Sequence, residues 1–282
     1  MAQQNMKQHK LGWIGIGRMG YAMAQRLADA GCDIAVWNRT KEKAEPLKKH
    51  GAKVVNTLPD LAACDVVFTM VSTGKDVKEV LFGDAGVLSK GIKFLSAPVS
   101  GNAKVIKAGK LTVVASGPKD AFDAIAPYLE AIGQGVSYVG DGELSRIAKI
   151  CHNVMLGVVI QNLCEITVVA EKAGMQRHAF LDFLNKSVMG SMFTRYKTPA
   201  LSNLDFHVTF TPELLRKDID LGLNAGKTYG VPMPLTSLVR DMVQTLIGHG
   251  YDQDFSQLLL LQAKASGVEL KPENVQISDG LS

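Results

Sequence analysis

Three glycines, Gly15, Gly17 and Gly20, fall where an apolar run from Leu11 to Ile16 gives way to a helical pattern. That pattern is carried by Met19, Ala22, Met23 and Leu27, and Ala30-Gly31 ends it. Gly15, Ile16, Gly17, Arg18, Met19 and Gly20 therefore form a G-x-G-x-x-G turn with a strand before it and a helix after it. Gly15 permits the tight turn, and Gly17 lets the backbone approach a pyrophosphate. Gly20 lets the helix pack close to its strand, and the helix N-terminus faces the phosphates. Glycines can also serve a bare strand–helix turn, but this context favours a dinucleotide site.

The second strand, Asp33 to Asn38, ends at Asn38, Arg39 and Thr40. In a dinucleotide fold this end meets the adenosine ribose, where a carboxylate holds the hydroxyls of NAD and repels a 2′-phosphate. Here no acid is present, and a guanidinium, a hydroxyl and an amide suit a phosphate. NADP is therefore expected, with NAD possible. Val71, Ser72 and Thr73 close the fourth strand at the carboxyl edge, where such sheets bind ligands. Oxidising an alcohol with a nicotinamide also needs a group that moves the hydroxyl proton. Lys149 and Asn153 lie four apart on one face of a long helix, and Lys149 interrupts an apolar pattern. Partial burial lowers an ammonium pKa toward the working range of an acid/base. A lysine snorkelling to solvent fits that spacing equally well. His152 points about 100° away from Asn153, as a packed or solvated histidine.

The elements that position these residues alternate. After the second strand come a helix at Glu42 to His50, a strand at Ala52 to Val55, a helix near Leu58 to Ala63 and a strand at Asp65 to Val71. A helix at Lys75 to Phe82, a strand at Ile92 to Ala97, and Ser100, Gly101 and Asn102 follow. A strand at Leu111 to Ser116, a helix at Ala121 to Ala131 and a strand at Val136 to Val139 complete the half. The alternation predicts an α/β fold, a doubly wound (Rossmann) dinucleotide-binding domain over residues 11–142 behind a loose tail, 1–10. Asp141 can cap a helix from Glu143 to Ala173, about 45 Å long. From Val154 onward it is apolar nearly all round, as in a helix buried on every side. Helices at Arg177 to Ser187, Pro212 to Tyr229, Pro234 to Ile247 and Phe255 to Ala265 make residues 143–282 an all-α domain joined by that long interdomain helix.

The 282 residues suffice for two domains, and 46% hydrophobic with 21% charged residues is ordinary for a globular enzyme. A net charge of +4 without a dense Lys/Arg cluster points to no nucleic acid partner. Lys41, Lys43, Lys48 and Lys49 read as a solvated helix face, with Lys43 nearest the cofactor end. No apolar stretch is expected to reach the length of a membrane span. Cys32, Cys64, Cys151 and Cys164 show no metal-ligand spacing and read as reduced, buried thiols of a cytoplasmic protein. No metal is expected.

Four motifs in order resemble those of the β-hydroxyacid dehydrogenase family, which contains 3-hydroxyisobutyrate dehydrogenase and the glyoxylate/succinic semialdehyde reductases. They are Gly15 to Gly20, Phe94-Leu95-Ser96-Ala97-Pro98-Val99-Ser100-Gly101, Lys149-Ile150-Cys151-His152-Asn153 and Lys217-Asp218. The resemblance implies NADP-dependent interconversion of a small hydroxy acid and its semialdehyde. It implies Lys149 as general acid/base and Asn153 holding the reacting end of a small carboxylate-bearing substrate. Ser100 and the Gly101 backbone, with Asn102 beside them, would bind the carboxylate. Lys217 would close over the cofactor, and Val36 to Thr40 resemble the NADP-using branch. A homodimer or a tetramer of dimers is implied, each long helix embraced by a partner.

The chain departs from the family pattern at three places. Ser96 replaces an aspartate, and His152 replaces an asparagine. Between the helix at Lys75 to Phe82 and the strand at Ile92, a strand–helix unit of roughly 25–30 residues is missing. Its expected place is the Lys90–Gly91 junction. An imine reductase of the same architecture is an alternative that Lys149 argues against. A noncatalytic NADP-binding interaction protein is another, argued against by Lys149 and for by the missing unit.

Overall fold

A computed structural model describes residues 6–84, 86–87 and 92–281. It divides into two compact units, Met1–Arg146 and Ile147–Ser282.

In the first unit, strands β1 (Leu11–Ile14), β2 (Ile34–Trp37), β3 (Lys53–Val54) and β4 (Val66–Thr69) form a parallel sheet in the order β3-β2-β1-β4. All four residues of β1 are buried, as a central strand covered on both faces requires. Helix α1 (Arg18–Asp29) lays Gly20, Ala22, Met23, Ala24 and Leu27 against it. Helix α2 (Gly74–Phe82) covers the other face with Val80 and Leu81, which meet Ile14 and Val67. A second sheet follows: β5 (Val99–Ser100) lies antiparallel to β6 (Thr112–Ala115), which runs parallel to β7 (Gly135–Tyr138). Helices α3 (Ala103–Lys107) and α4 (Lys119–Ile132) complete the unit.

Several expected elements change form. The helix at Glu42 to His50 is two short 3₁₀ segments, Lys41–Lys43 and Glu45–His50, because Pro46 has no N–H to give a regular ladder. The helix near Leu58 to Ala63 is likewise one 3₁₀ turn, Leu58–Leu61, begun by Pro59 and a Thr57/Asp60 capping box. The strand at Ile92 to Ala97 does not form. Ser96 alone bridges Ser116, and Val99–Ser100 make the ladder instead. Ile92 and Phe94 are exposed, and no strand among the described residues pairs with them. The doubly wound sheet is therefore in two pieces. On β4, the Met70 N–H donates to the Ile14 carbonyl at 2.8 Å. Parallel-ladder alternation then turns the N–H and C=O groups of Val67 and Thr69 outward. Among the described residues no strand pairs with that edge.

The second unit is helical, with α5 (Leu144–Lys172, beginning in the first unit), α6 (Arg177–Lys186), α7 (Met192–Asn203), α8 (Pro212–Tyr229), α9 (Pro234–Gly248) and α10 (Leu258–Ala265). Helix α7 was not anticipated as an element of its own. Pro199 within it masks its pattern, while the Ser191/Thr194 capping box marks its start. Asp141 does not act as the expected cap: its carboxylate accepts from the Tyr138 hydroxyl. Helix α5 is buried through Ile160, Leu163, Cys164 and Val168, but Met155, Asn162 and Val169, seven residues apart, stay exposed. It is thus not buried on every side in one chain. By length and composition α5 is long and apolar enough to cross a membrane, which corrects the expectation that no stretch reaches that length. Its buried face belongs to the core of the helical unit. The thiol expectation also changes at one position. Cys32 and Cys164 are buried and Cys64 half-buried, but Cys151 is exposed, because it lies on the open side of α5.

Candidate active site

In the first unit the fingerprint glycines are required by contact. Gly15 has φ +97°, and a Cβ there would lie 2.2 Å from the Met70 carbonyl oxygen. A Cβ on Gly20 would lie 2.0 Å from the Gly15 oxygen, so only glycine lets α1 sit this close. At Gly17, by contrast, a Cβ would meet nothing within 4 Å. That open space lies at the N-terminus of α1, where Gly17 is the cap and no side chain accepts from the first N–H groups. A free helix start beside empty space fits a pyrophosphate. The Ile16 N–H donates to Asn38 Oδ1 at 2.8 Å, and Asn38 Nδ2 donates to the Thr40 carbonyl at 2.7 Å. Asn38 therefore ties the glycine turn to the end of β2. Arg39 and Thr40 stand exposed there, as a 2′-phosphate requires.

At the end of β4, Val71 is half-buried and Ser72 exposed. The Thr73 side chain caps α2, accepting from the Asp76 N–H and donating to the Asp76 carboxylate at 2.6 Å. The Thr73 hydroxyl and the Thr73 N–H, both donating to it, with Arg39 nearby, hold the Asp76 carboxyl below its ordinary range.

The Phe94–Gly101 motif, expected to bind substrate, runs through β5. Gly101 has φ +134°, which a side chain would strain. Asn102 Oδ1 accepts from the Lys104 and Val105 N–H groups at 2.9 and 3.1 Å, so that oxygen caps α3. Ser96, where an aspartate was expected, is buried, and its carbonyl accepts from Ser145 Oγ at 2.9 Å. Ser145 N–H donates to Ser116 Oγ at 3.0 Å, anchoring the motif to the start of α5.

In the second unit the predicted catalytic residues Lys149 and Asn153 lie on α5, and the predicted cofactor residue Lys217 on α8. A Cβ on Gly222 would lie 2.1 Å from Val154 Cγ2, and one on Gly157 would lie 3.1 Å from Ile219 Cδ1. These two glycines let the helices cross closely, which brings Asp218 to Asn153. Asn153 Nδ2 donates to Asp218 Oδ2 at 2.6 Å, and Lys217 Nζ lies 3.1 Å from Asp218 Oδ1. Lys149 is half-buried. Burial pushes its ammonium below the ordinary lysine range, and the Asp218 carboxylate partly opposes that. His152 does not stand apart as expected: its Nδ1 lies 2.8 Å from Asn153 Oδ1, which needs the Nδ1–H form. Asp218 is the member of this cluster that the sequence reading gave no role. It stood beside Lys217 in the motif, but its partner across the helix crossing is sixty-five residues away in sequence.

Residues 10–91 and 88–140 match the family model described as the NAD binding domain of 6-phosphogluconate dehydrogenase. Residues 144–262 match the one described as NAD-binding of NADP-dependent 3-hydroxyisobutyrate dehydrogenase. The two matches run in succession over almost the whole chain. It belongs to the β-hydroxyacid dehydrogenase family. Within that family, glyoxylate/succinic semialdehyde reductase 2, chloroplastic, of Arabidopsis thaliana is 28% identical over 279 residues, 88% of this chain and 78% of the relative. The 2-(hydroxymethyl)glutarate dehydrogenase of Eubacterium barkeri is 28% identical over 296 residues, 94% of this chain and 98% of the relative. The crystal structure of a 3-hydroxyisobutyrate dehydrogenase from Salmonella typhimurium shares the fold, with a TM-score of 0.77 at 23% identity over 89% of this chain and 99% of its own. The first unit is thus the NAD(P)-binding Rossmann domain of a family of oxidoreductases.

The same matches bear on the missing unit. The 296 aligned positions take in 94% of the 282 residues, about 265, so that about 31 positions of the Eubacterium enzyme face no residue here. The domain match itself breaks into two pieces that meet at residues 88–91. The Lys90–Gly91 junction lies outside the described residues.

Proposed function

We propose that the chain is an NADP(H)-dependent oxidoreductase that interconverts a small 3-hydroxy acid and its semialdehyde, with Lys149 as general acid/base. The observation that carries this reading is the Lys149 ammonium, lowered by burial, on the same helix face as an Asn153 that Asp218 holds in place. Bound NADPH supplies the hydride. Lys149 Nζ gives its proton to the carbonyl oxygen during reduction and takes it back during oxidation. Asn153 spends one amide hydrogen on Asp218 and keeps the other for the substrate oxygen. Ser100 and the Gly101 N–H bind the substrate carboxylate, and Lys217 closes over the cofactor. The names of the relatives support this substrate class.

The test is oxidation of NADPH with glyoxylate, succinic semialdehyde and methylmalonate semialdehyde, against cyclic imines as the alternative substrate. Turnover of a semialdehyde supports the reading, and turnover of imines alone overturns it. A nucleotide-binding relative without turnover is the second reading, favoured by the missing strand–helix unit; NADPH binding with no substrate turned over would select it.

Arg39 and Thr40 provide the cofactor preference. A phosphate held by a guanidinium contributes about 1.5–3 kcal/mol, so NADPH should bind at least about tenfold more tightly than NADH. Arg39→Ala should erase most of that difference in a fluorescence titration. Equal affinities in the unmodified chain contradict the assignment.

The exposed stripe Met155, Asn162 and Val169 on α5 supports a homodimer, or a tetramer of dimers, built through the helical unit. Light scattering at micromolar concentration should give at least a dimer; a monodisperse monomer overturns this. Four free cysteines support a reducing compartment such as the cytoplasm.

A further inference from the structure

We propose that His152 is a positioning residue: with Asp218 it fixes the Asn153 amide so that a N–H, not the oxygen, is offered to the reacting atom. The proposal deepens, and rests on, the reading of Lys149 and Asn153 as the residues that handle the substrate's reacting end. The Asn153 amide is engaged at both of its atoms. Nδ2 lies 2.6 Å from Asp218 Oδ2, and Oδ1 lies 2.8 Å from His152 Nδ1. Turning an amide by 180° exchanges its nitrogen and oxygen at almost the same shape, so the partners decide which way it faces. A carboxylate has no hydrogen to give, so Asp218 takes only Nδ2. The oxygen is thereby turned to His152, and the imidazole must carry a proton on Nδ1 to donate to it. A reversed amide loses both bonds at once. It sets oxygen against the Asp218 carboxylate and N–H against the His152 Nδ1–H.

The fixed orientation has a consequence for specificity. As hydride reaches a carbonyl carbon, the π pair moves to the oxygen, which Lys149 Nζ protonates. A N–H held in place beside that oxygen gains strength as the charge grows, so its effect falls on turnover more than on ground-state binding. A protonated imine instead brings its own N–H and no lone pair, so it meets a donor where it needs an acceptor. The pair His152 and Asp218 thus favours an oxygen electrophile over a nitrogen one. Because His152 lies on the exposed side of α5, its hydrogen bond is expected to act at the modest end of the range for such bonds.

Nitrogen NMR of the full chain, labelled at its histidines and held at mildly alkaline pH, reads the orientation without any turnover. Partial burial, and with it the Lys149 ammonium, keeps the His152 pKa below the ordinary 6.5 against its hydrogen bond to Asn153, so the ring is neutral there. The His152 signals, identified by their loss in His152→Phe, should show the proton on Nδ1. A bare Nδ1, or a proton exchanging rapidly between the two ring nitrogens, overturns the proposal. The second arm is kinetic. His152→Phe keeps a flat ring but cannot donate, so kcat for glyoxylate and succinic semialdehyde should fall about two- to fivefold. KM for NADPH should stay as it was, and reduction of a cyclic imine should not fall with the aldehydes. Circular dichroism checks that the variant is folded; if it is not, the Nδ1 proton is sought in the unmodified chain alone. An unchanged kcat, or an equal fall for aldehyde and imine, overturns the positioning role even where Nδ1 carries the proton. If the unmodified chain reduces no semialdehyde, the reading of the reaction fails, and the spectrum still decides how Asn153 is held.

Discussion

Replacing Lys149 by methionine is expected to cut turnover at least about 10²-fold while leaving NADPH affinity little changed. Methionine keeps the length and packing of the side chain but cannot carry a proton, so the loss reads the chemistry. The pH profile makes the assignment sharper. Carbonyl reduction needs the ammonium form, so its rate is present below the Lys149 pKa and lost as pH rises through it. Alcohol oxidation needs the free amine and rises through the same point. Burial sets that break below the ordinary lysine value of 10.5, against the opposing Asp218 carboxylate. Asp218→Asn removes the charge that favours the ammonium form and should move the break further down. It should also loosen Asn153, raising KM for the substrate more than for NADPH. A Lys149→Met chain that keeps its turnover would return this residue to the status of a surface lysine.

The cofactor cradle was legible because its cause is local. Strand, glycine turn and helix are contiguous, and Gly20 answers a contact with Gly15 five residues away, although Gly15 itself meets Met70 beyond β4. Helix α8 was equally readable, since Thr211, Pro212 and Gly230 punctuate it in sequence. What escaped reading depends on distant partners. Asp218 matters because Gly157 and Gly222 bring α8 onto α5, and no spacing along the chain encodes that crossing. The residues Ile92 to Ala97 have strand composition, but no strand among the described residues forms a ladder with them. Among the described residues only Ser96 finds a partner, Ser116, which lies twenty positions further along the chain. Helix α5 illustrates the same limit. An apolar circumference predicts burial all round, but one chain supplies cover for only part of it, leaving Met155 and Val169 exposed.

The helical unit also holds an ion pair that neither pattern nor motif announced, and its disruption should give the largest loss of stability. Lys197 Nζ and Asp254 Oδ1 lie 2.6 Å apart with side chains 3% and 1% exposed. The same carboxylate accepts from Thr209 N–H and Oγ at 3.0 and 2.6 Å and from Ser256 N–H and Oγ at 3.0 and 2.6 Å. It thereby joins α7 to the turns before α8 and α10. Lys197 in turn donates to Thr209 Oγ and sits 4.3 Å from the centre of the Phe255 ring. Removing one member of such a pair strands the other in a dry interior, which costs about 3–5 kcal/mol. Asp254→Ala should cost more than Lys197→Met, because it orphans the Thr209 and Ser256 donors as well as the ammonium. The double variant should be less destabilised than the two losses added together. Acid should act through the same carboxyl. Its folded pKa lies below the ordinary value of 3.8, against burial and chiefly through Lys197. Its contribution is therefore whole above that value and fades as pH falls through the folded one. Urea unfolding of the three variants, and of the unmodified chain from neutral pH down into that acid range, measures both effects. Strict additivity of the single losses, or an Asp254→Ala chain as stable as the unmodified one, would show that the pair adds nothing to the fold.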